Sequence, residues 1–374
     1  MYKQAEPYRL IISGGGTGGH IFPALAIAQE FRRRYASSEI LFVGAKGKME
    51  MTRVPDAGFK IVGLWISGLQ RSLTLTNLLF PVKLLVSYVR AFNLIRKFKP
   101  QIVIGTGGYA SGPVMMAAGS MHMPMLIQEQ NSFAGLTNRK LAAKANVICV
   151  AYPNMEKYFP AEKIVLTGNP VRASIKLKDL NSSDARKKFG LNPDTKTLLV
   201  LGGSLGARTL NESVLGGLDL LQQSGIQVIW QCGKSYLEAM QLKLQGKEIT
   251  GVVLVDFIAD MNSAYAAADV VISRAGALAI SEISLAGKPV ILVPSPVVAE
   301  DHQTKNAMTL VREDAALLVE DKNAAQVLIQ QAIALVNDAT RCEKLSQQIR
   351  KMARPEATQD IVNEIEKIIL NVRK

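Results

Sequence analysis

The sequence predicts an α/β protein built from two Rossmann-like domains with parallel sheets. Three observations predict it. Short apolar, β-branched runs alternate with helical patterns along all 374 residues, as in parallel strands joined by crossover helices. Each half holds a strand that enters a glycine loop and then a helix: LIISGGGTGGH at residues 10–20 and LLVLGGSLGAR at residues 198–208. A chain of this length also exceeds one ordinary domain.

Taken in order, the strands of the first half are expected at RLIIS (9–13), EILFVG (39–44), KIVGLWI (60–66), QIVIG (101–105), PMLIQ (124–128), NVICV (146–150) and KIVLTG (163–168). Those of the second half are expected at TLLVLG (197–202), QVIWQC (227–232), VVLVDF (252–257), DVVIS (269–273), PVILVP (289–294) and AALLVE (315–320). Turn residues at Gly168-Asn169-Pro170 mark the boundary. The expected division is 1–168, 169–350 and a C-terminal helix in 351–374 that packs back on the first domain. Ligands of such sheets gather beyond the carboxyl ends of the strands, so a cleft between facing domains is the expected site.

The net charge of +13 is divided unevenly. Residues 1–170 hold 20 Lys and Arg against 8 Asp and Glu, whereas residues 171–374 hold 24 against 23. Between Asp56 and Glu129 no acid occurs, yet Lys60, Arg71, Lys83, Arg90, Arg96, Lys97 and Lys99 do. Such a field attracts polyanions: nucleic acid, an anionic membrane or a phosphorylated substrate. Nucleic acid is the weaker reading, for no helix-turn-helix, zinc-finger or aromatic single-strand motif is found. No N-terminal signal is visible, and the long uncharged stretch 100–128 is broken by Gly105, Gly107, Gly108, Gly112, Pro113 and Pro124, against a membrane span. Cys149, Cys232 and Cys342 lack metal-ligand spacing and point to a reducing, cytoplasmic compartment.

Gly14, Gly16 and Gly19 satisfy G-x-G-x-x-G, but the second strand ends FVGAKGK without the acid that would hold a dinucleotide ribose. A nicotinamide oxidoreductase is therefore the weaker alternative. Two more loops, GTGGYASGP (105–113) and GGSLGAR (202–208), suit phosphate groups held by backbone N–H at helix starts; the bland reading of each is a tight strand-to-helix turn. No G-x-x-x-x-G-K-[ST] is present. His20 is either a helix-start hydrogen-bonding residue or a neutral general base favoured by the positive helix end. Glu282 either accepts the hydroxyls of a ribose or merely complements its helix dipole, and Gln303 suits sugar hydroxyls. Without a D-x-D pair no metal and no cofactor are expected; helix ends with Arg172 and Ser204 would take the diphosphate.

The ordered motifs GGTGGHIFPALAIA, GGYASGP, IQEQNSFAGLTNR, GNPVR, GGSLGAR, SRAGALAISE and EDHQTKNA resemble the MurG family of family 28 glycosyltransferases, from Arg9 to about Ala316. The resemblance implies a GT-B fold and inverting transfer of GlcNAc from UDP-GlcNAc to the MurNAc 4-hydroxyl of lipid I, giving lipid II. It implies donor contacts at Thr17, Gly18, Gly19, Asn131, Arg172, Ser204, Ile258, Ala277, Leu278, Ala279, Ile280, Ser281, Glu282 and Gln303. The acceptor diphosphate would meet the first two loops, at Gly15, Gly16, Gly107, Gly108, Tyr109 and Ser111. His20 is the first candidate base and Glu129 the second. Some relatives carry a second glutamine where this chain has Thr304. A UDP-GlcNAc 2-epimerase-like enzyme is the nearest alternative.

Leu73 to Lys99 combines apolar side chains with five Lys and Arg and no acid. One reading is a crossover helix that starts at Pro81 and buries Leu85, Val89 and Phe92. The other adds an exposed patch ahead of it, Leu75, Leu78, Leu79 and Phe80 with Lys83, docking on an anionic membrane. The resemblance then implies a peripheral enzyme on the cytoplasmic face of the bacterial inner membrane, with cell-wall synthesis and division proteins as partners.

Overall fold

The computed structural model describes residues 7–68, 78–171, 180–203, 205–247 and 249–372. The chain forms two compact units, Met1–Val171 with Arg354–Lys374, and Arg172–Ala353. In the first, the order is β1 (Arg9–Gly14), α1 (Gly18–Arg34), β2 (Glu39–Ala45), α2 (Glu50–Asp56), β3 (Lys60–Leu64), α3 (Phe80–Phe98), β4 (Ile102–Gly107), α4 (Ser111–Ser120), β5 (Met125–Glu129), α5 (Leu136–Leu141), β6 (Val147–Val150) and β7 (Ile164–Leu166). The second runs α6 (Ser182–Lys188), β8 (Thr197–Leu201), α7 (Arg208–Gly216), α8 (Leu218–Gln223), β9 (Gln227–Gln231), α9 (Leu237–Leu244), β10 (Val252–Val255), α10 (Met261–Ala267), β11 (Val270–Ser273), α11 (Ala277–Ala286), β12 (Val290–Leu292), α12 (His302–Val311), β13 (Leu317–Leu318), α13 (Ala324–Asn337) and α14 (Ala339–Lys351). A last helix, α15 (Ala357–Val372), belongs to the first unit.

Every expected strand is present. The first sheet has the order β3-β2-β1-β4-β5-β6-β7 and the second β10-β9-β8-β11-β12-β13, with parallel pairing throughout. Strand order reverses between β1 and β4 in one sheet and between β8 and β11 in the other. These are the switch points where adjacent crossovers leave on opposite faces and open a crevice. The first two glycine loops follow β1 and β4, so topology alone sets them side by side. The third loop follows β8, beside the Ser273–Gly276 turn after β11.

Both sheet faces are covered, which is why the strands read as continuous apolar runs rather than alternating ones. In the first unit Leu10 and Ile12 face a core shared with α1 and α15, while Ile11 and Val103 face the core under α3 and α4. In the second, Leu198, Val200, Trp230 and Ile272 share one core with Leu210 of α7 and Leu328 of α13.

Helix α3 departs from expectation. Pro81 does sit in its first turn, but the helix buries Ser87, Ala91 and Ile95, and Leu85 and Val89 are exposed at 63% and 49%. Phe92 is half-buried against the core. Phe80, expected in the exposed patch, also packs on that core. The small Ser87 and Ala91 allow close approach: Ser87 Oγ donates to Trp65 O at 3.0 Å, and α3 packs against α4, with the Tyr88 hydroxyl 2.8 Å from Ser120 Oγ. Val82, Leu85, Val86 and Val89 point outward instead, while Leu84, Tyr88 and Phe92 pack inward with Ile95. Leu78 and Leu79 are exposed, and Leu75 lies outside the described residues.

Candidate active site

In the first unit the candidate residues converge beyond β1, β4 and β5. Ser13 and Gly14 shift register against β4, so that Gly14 pairs with Gly107. A Cβ on Gly14 would strike the Thr106 side chain, whose hydroxyl donates to the His20 carbonyl at 2.9 Å. The second loop passes close over the first. Gly108, with φ of 79°, lies against Gly15 O, and a Cβ there would be 3.0 Å from the His20 ring. Its left-handed backbone and lack of room both require glycine. Ser111 is buried and its hydroxyl donates to Gly108 O at 2.9 Å, holding that loop from α4. The Tyr109 ring covers Gly16, and burial, with the Glu50 charge second, raises its phenol above the ordinary value.

The His20 imidazole is oriented at one nitrogen. Nδ1 lies 3.0 Å from Thr106 O and 2.9 Å from Gln130 Oε1. A carbonyl oxygen only accepts, so Nδ1 carries a proton and donates. In the neutral ring Nε2 is then the lone-pair nitrogen, and it makes no hydrogen bond among the described residues. That is the form a general base needs.

Glu129 stands differently. Its carboxylate is 2% exposed and accepts from Asn131 N at 3.1 Å, Asn131 Nδ2 at 3.3 Å, Gly135 N at 3.0 Å and Asn138 Nδ2 at 2.8 Å. It organises the Gln130–Gly135 turn, and Asn131 with it. Its oxygens are occupied by donors, unlike the bare Nε2 of His20.

Glu50, not singled out from the sequence, is fully buried. It accepts from Ala45 N at 3.0 Å and Gly16 N at 3.2 Å. Cβ atoms on Gly15 or Gly44 would collide with it, so part of the glycine pattern makes room for a carboxylate. Thr17 caps α1 by backbone position without a side-chain bond, and Gly18 and Gly19 form the helix's first turn, where N–H groups lack intrahelical acceptors.

In the second unit, the loop after β8 turns at Gly203 and Gly206, both with φ of 80°, and leads to Arg208 at the start of α7, paired with Glu212 at 2.7 Å. Gly276 caps α11, and among the described residues no atom lies within 4 Å of where a Cβ would stand. From that end Ala277, Leu278, Ala279, Ile280 and Ser281 make the first turns; Ala277 and Ile280 are buried, and Ser281 Oγ donates to Ala277 O at 3.0 Å. Glu282 follows, accepting from the Tyr265 hydroxyl at 3.4 Å. Ile258 is buried beyond β10. Gln303, in α12, accepts from Ser295 N at 2.8 Å, and Thr304 donates instead to Asp301 at 2.7 Å. Arg172 and Ser204 lie outside the described residues.

Asp321 is a second group that motif reasoning missed. It pairs with Arg274 of the turn after β11 and accepts from Thr209 of α7 at 3.0 Å, tying the two switch-point connections together. A lone acid in VEDKN carries no motif that could have announced this.

The chain matches the Glycosyltransferase family 28 N-terminal domain over residues 10–150 and the family 28 C-terminal domain over residues 197–365. A Cytophaga hutchinsonii protein named UDP-N-acetylglucosamine--N-acetylmuramyl-(pentapeptide) pyrophosphoryl-undecaprenol N-acetylglucosamine transferase is 54% identical over 99% of this chain and 100% of its own length. A Parabacteroides distasonis protein of the same name is 54% identical over 97% and 98%. The crystal structure of Acinetobacter baumannii MurG superimposes with a TM-score of 0.78 at 32% identity, covering 96% of this chain and all of that one. The calicheamicin glycosyltransferase CalG4, with a TM-score of 0.72 at 15% identity over 99% of this chain and 100% of that one, shares the fold. With two parallel-sheet units of the GT-B type and end-to-end likeness to these transferases, the chain belongs to glycosyltransferase family 28 and, within it, to the MurG family.

Proposed function

We propose that the protein transfers GlcNAc from UDP-GlcNAc to the MurNAc 4-hydroxyl of undecaprenyl-diphospho-MurNAc-pentapeptide (lipid I), with inversion, to give lipid II for peptidoglycan synthesis. The end-to-end identity with transferases named for this chemistry carries the reading, and the state of His20 supports its mechanism. His20 Nε2 takes the proton of the acceptor hydroxyl as its oxygen attacks C1 of GlcNAc. The bond from C1 to the UDP oxygen breaks in the same displacement, and the leaving diphosphate gains charge. The starts of α7 and α11, with Arg172 and Ser204, stabilise that charge. Glu282 takes the ribose hydroxyls and Gln303 the sugar, beside Ile258 and the Ala277–Ser281 turn. Glu129 acts by holding Asn131 in place rather than as the base. Gly15, Gly16, Gly107, Gly108, Tyr109 and Ser111 form the acceptor side.

The protein works as a peripheral enzyme on the cytoplasmic face of the membrane. Val82, Leu85, Val86 and Val89 form an exposed apolar stripe on α3, continued by Leu78 and Leu79, and the basic first half suits anionic lipid. Among the described residues no helix is long and apolar enough to cross a membrane.

The test is transfer of radiolabelled GlcNAc from UDP-GlcNAc to a lipid I analogue in the presence of EDTA. Labelled disaccharide-lipid is the expected product. Binding of UDP-GlcNAc without transfer would overturn the acceptor assignment, and no binding would overturn the donor assignment.

A further inference from the structure

We infer that Gln130 is a positioning residue that holds His20 in its Nδ1–H form and so keeps Nε2 free to take a proton. The side-chain amide of Gln130 is 1% exposed and has one workable orientation. Its Nε2 faces Thr106 O at 2.8 Å and Gln128 O at 3.1 Å, together with the Gln128 side-chain oxygen. Turning the amide over would set its oxygen against these acceptors, with no proton between them. The three contacts therefore direct Oε1 at His20 Nδ1, 2.9 Å away. The lock extends outward, since Gln128 Nε2 donates to Asn169 Oδ1 at 3.1 Å and Asn169 Nδ2 returns to Gln130 O at 3.0 Å. An uncharged amide thus orients the ring. It selects the tautomer without placing a carboxylate beside it, and Glu129, the next residue, is turned away to its own four donors.

This role rests on the proposed reaction only where turnover is concerned; the tautomer itself can be read without substrate. The chain has three histidines, so nitrogen-15 NMR of the full-length protein resolves few imidazoles, and a His20→Ala sample assigns the signal of interest. The expected spectrum of the unsubstituted protein has His20 protonated at Nδ1 and bare at Nε2. In Gln130→Met, which keeps the length of the side chain, His20 should become a mixture of tautomers. With a lipid I analogue, kcat should fall about tenfold or more, with KM for UDP-GlcNAc unchanged. Gln130→Glu, protonated at the position of the amide nitrogen, keeps an acceptor toward Nδ1 and should restore part of both signals. Retention of pure Nδ1–H by Gln130→Met, with the fold intact by circular dichroism, would overturn the inference and leave Thr106 O as the sole determinant. A mixed tautomer with unchanged kcat would instead uphold the orienting contact and overturn the proposed role of His20 as base.

Discussion

His20 illustrates how a residue with ordinary composition acquires a chemical direction from backbone geometry. Thr106 O reaches Nδ1 because Gly14 and Gly108 permit close passage of two loops; the other ring nitrogen makes no hydrogen bond among the described residues, which suits the proposed role as base. His20→Ala should therefore lower kcat by about 10² to 10⁴ while KM for UDP-GlcNAc stays near its starting value; steady-state kinetics at saturating donor decides it, and unchanged kcat would eliminate the imidazole as base. Lys288 shows the same dependence on surroundings away from the site. Burial, more than the neighbouring Arg186, Arg350 and Lys196, lowers its ammonium to about 8, with Asp269 acting in the opposite direction. Its amine donates to Ala268 O at 2.7 Å. Between pH 8 and the unfolded value near 10.5, the unfolded chain holds the proton and the folded one does not, so this residue makes stability rise with pH. Below pH 8 its destabilising effect is complete, on the order of 1–3 kcal/mol. Denaturant unfolding at pH 7.5 and 10 should show a smaller pH dependence in Lys288→Met than in the unsubstituted protein; equal slopes would assign the effect elsewhere.

At the scale of elements, the first glycine loop is braced from below by α2. Glu50 at the start of that helix fills the space left by Gly15 and Gly44 and accepts from the Gly16 and Ala45 amides. Glu50→Ala leaves the buried Ala45 N–H and the half-buried Gly16 N–H without that acceptor, at about 1–3 kcal/mol for the buried one. The melting temperature should fall and exchange of the Gly16 amide should accelerate, whereas Glu50→Gln, which retains an acceptor oxygen, should recover much of both. Equal loss in the two variants would mean that charge rather than acceptor geometry holds the loop. Helix α3 makes a separate prediction. Leu85→Glu combined with Val89→Glu should reduce sedimentation with anionic vesicles and raise KM for a long-chain lipid acceptor, with little change for a short, water-soluble one. An equal loss with both acceptors would point to the fold rather than to the membrane. The strands were legible because burial on two faces produces unbroken apolar runs, as in LIIS and LLVL. The outward face of α3 was not, because both of its faces are apolar and only packing of Ser87 and Ala91 decides between them. Glu50 and Asp321 were hidden for another reason: an isolated acid near a helix start has an ordinary role there, and its tertiary partners lie 34 and 47 residues away.

At the scale of the whole molecule, the first unit is discontinuous in sequence. Its core is closed by α15, the last helix, after the entire second unit has intervened. Ile361, Val362 and Ile365 are fully buried with Leu10, Ile12 and Phe31, and Arg34 anchors the helix through Glu366 at 2.9 Å and Asn363 at 2.7 Å. Burial, with the Glu364 charge second, raises the thiol of Cys149 well above its usual range, so this cysteine reports whether that face is closed. Cys232 and Trp230 lie in the separate core of the second unit. Ile365→Ala should cost about 2–5 kcal/mol, from lost apolar burial and the cavity left behind. Because the deficit falls on one core, heating should expose Cys149 to a thiol reagent before Cys232 reacts, while Trp230 retains the emission of a buried indole. Simultaneous loss of both cysteines' protection and of the Trp230 signal would instead mean that the two units unfold as a single cooperative block. The contrast matters for catalysis, since α15 packs on the same α1 whose first turn carries His20. On the proposed assignment of the donor to the second unit, loosening the helix should reduce turnover at temperatures where UDP-GlcNAc binding is retained.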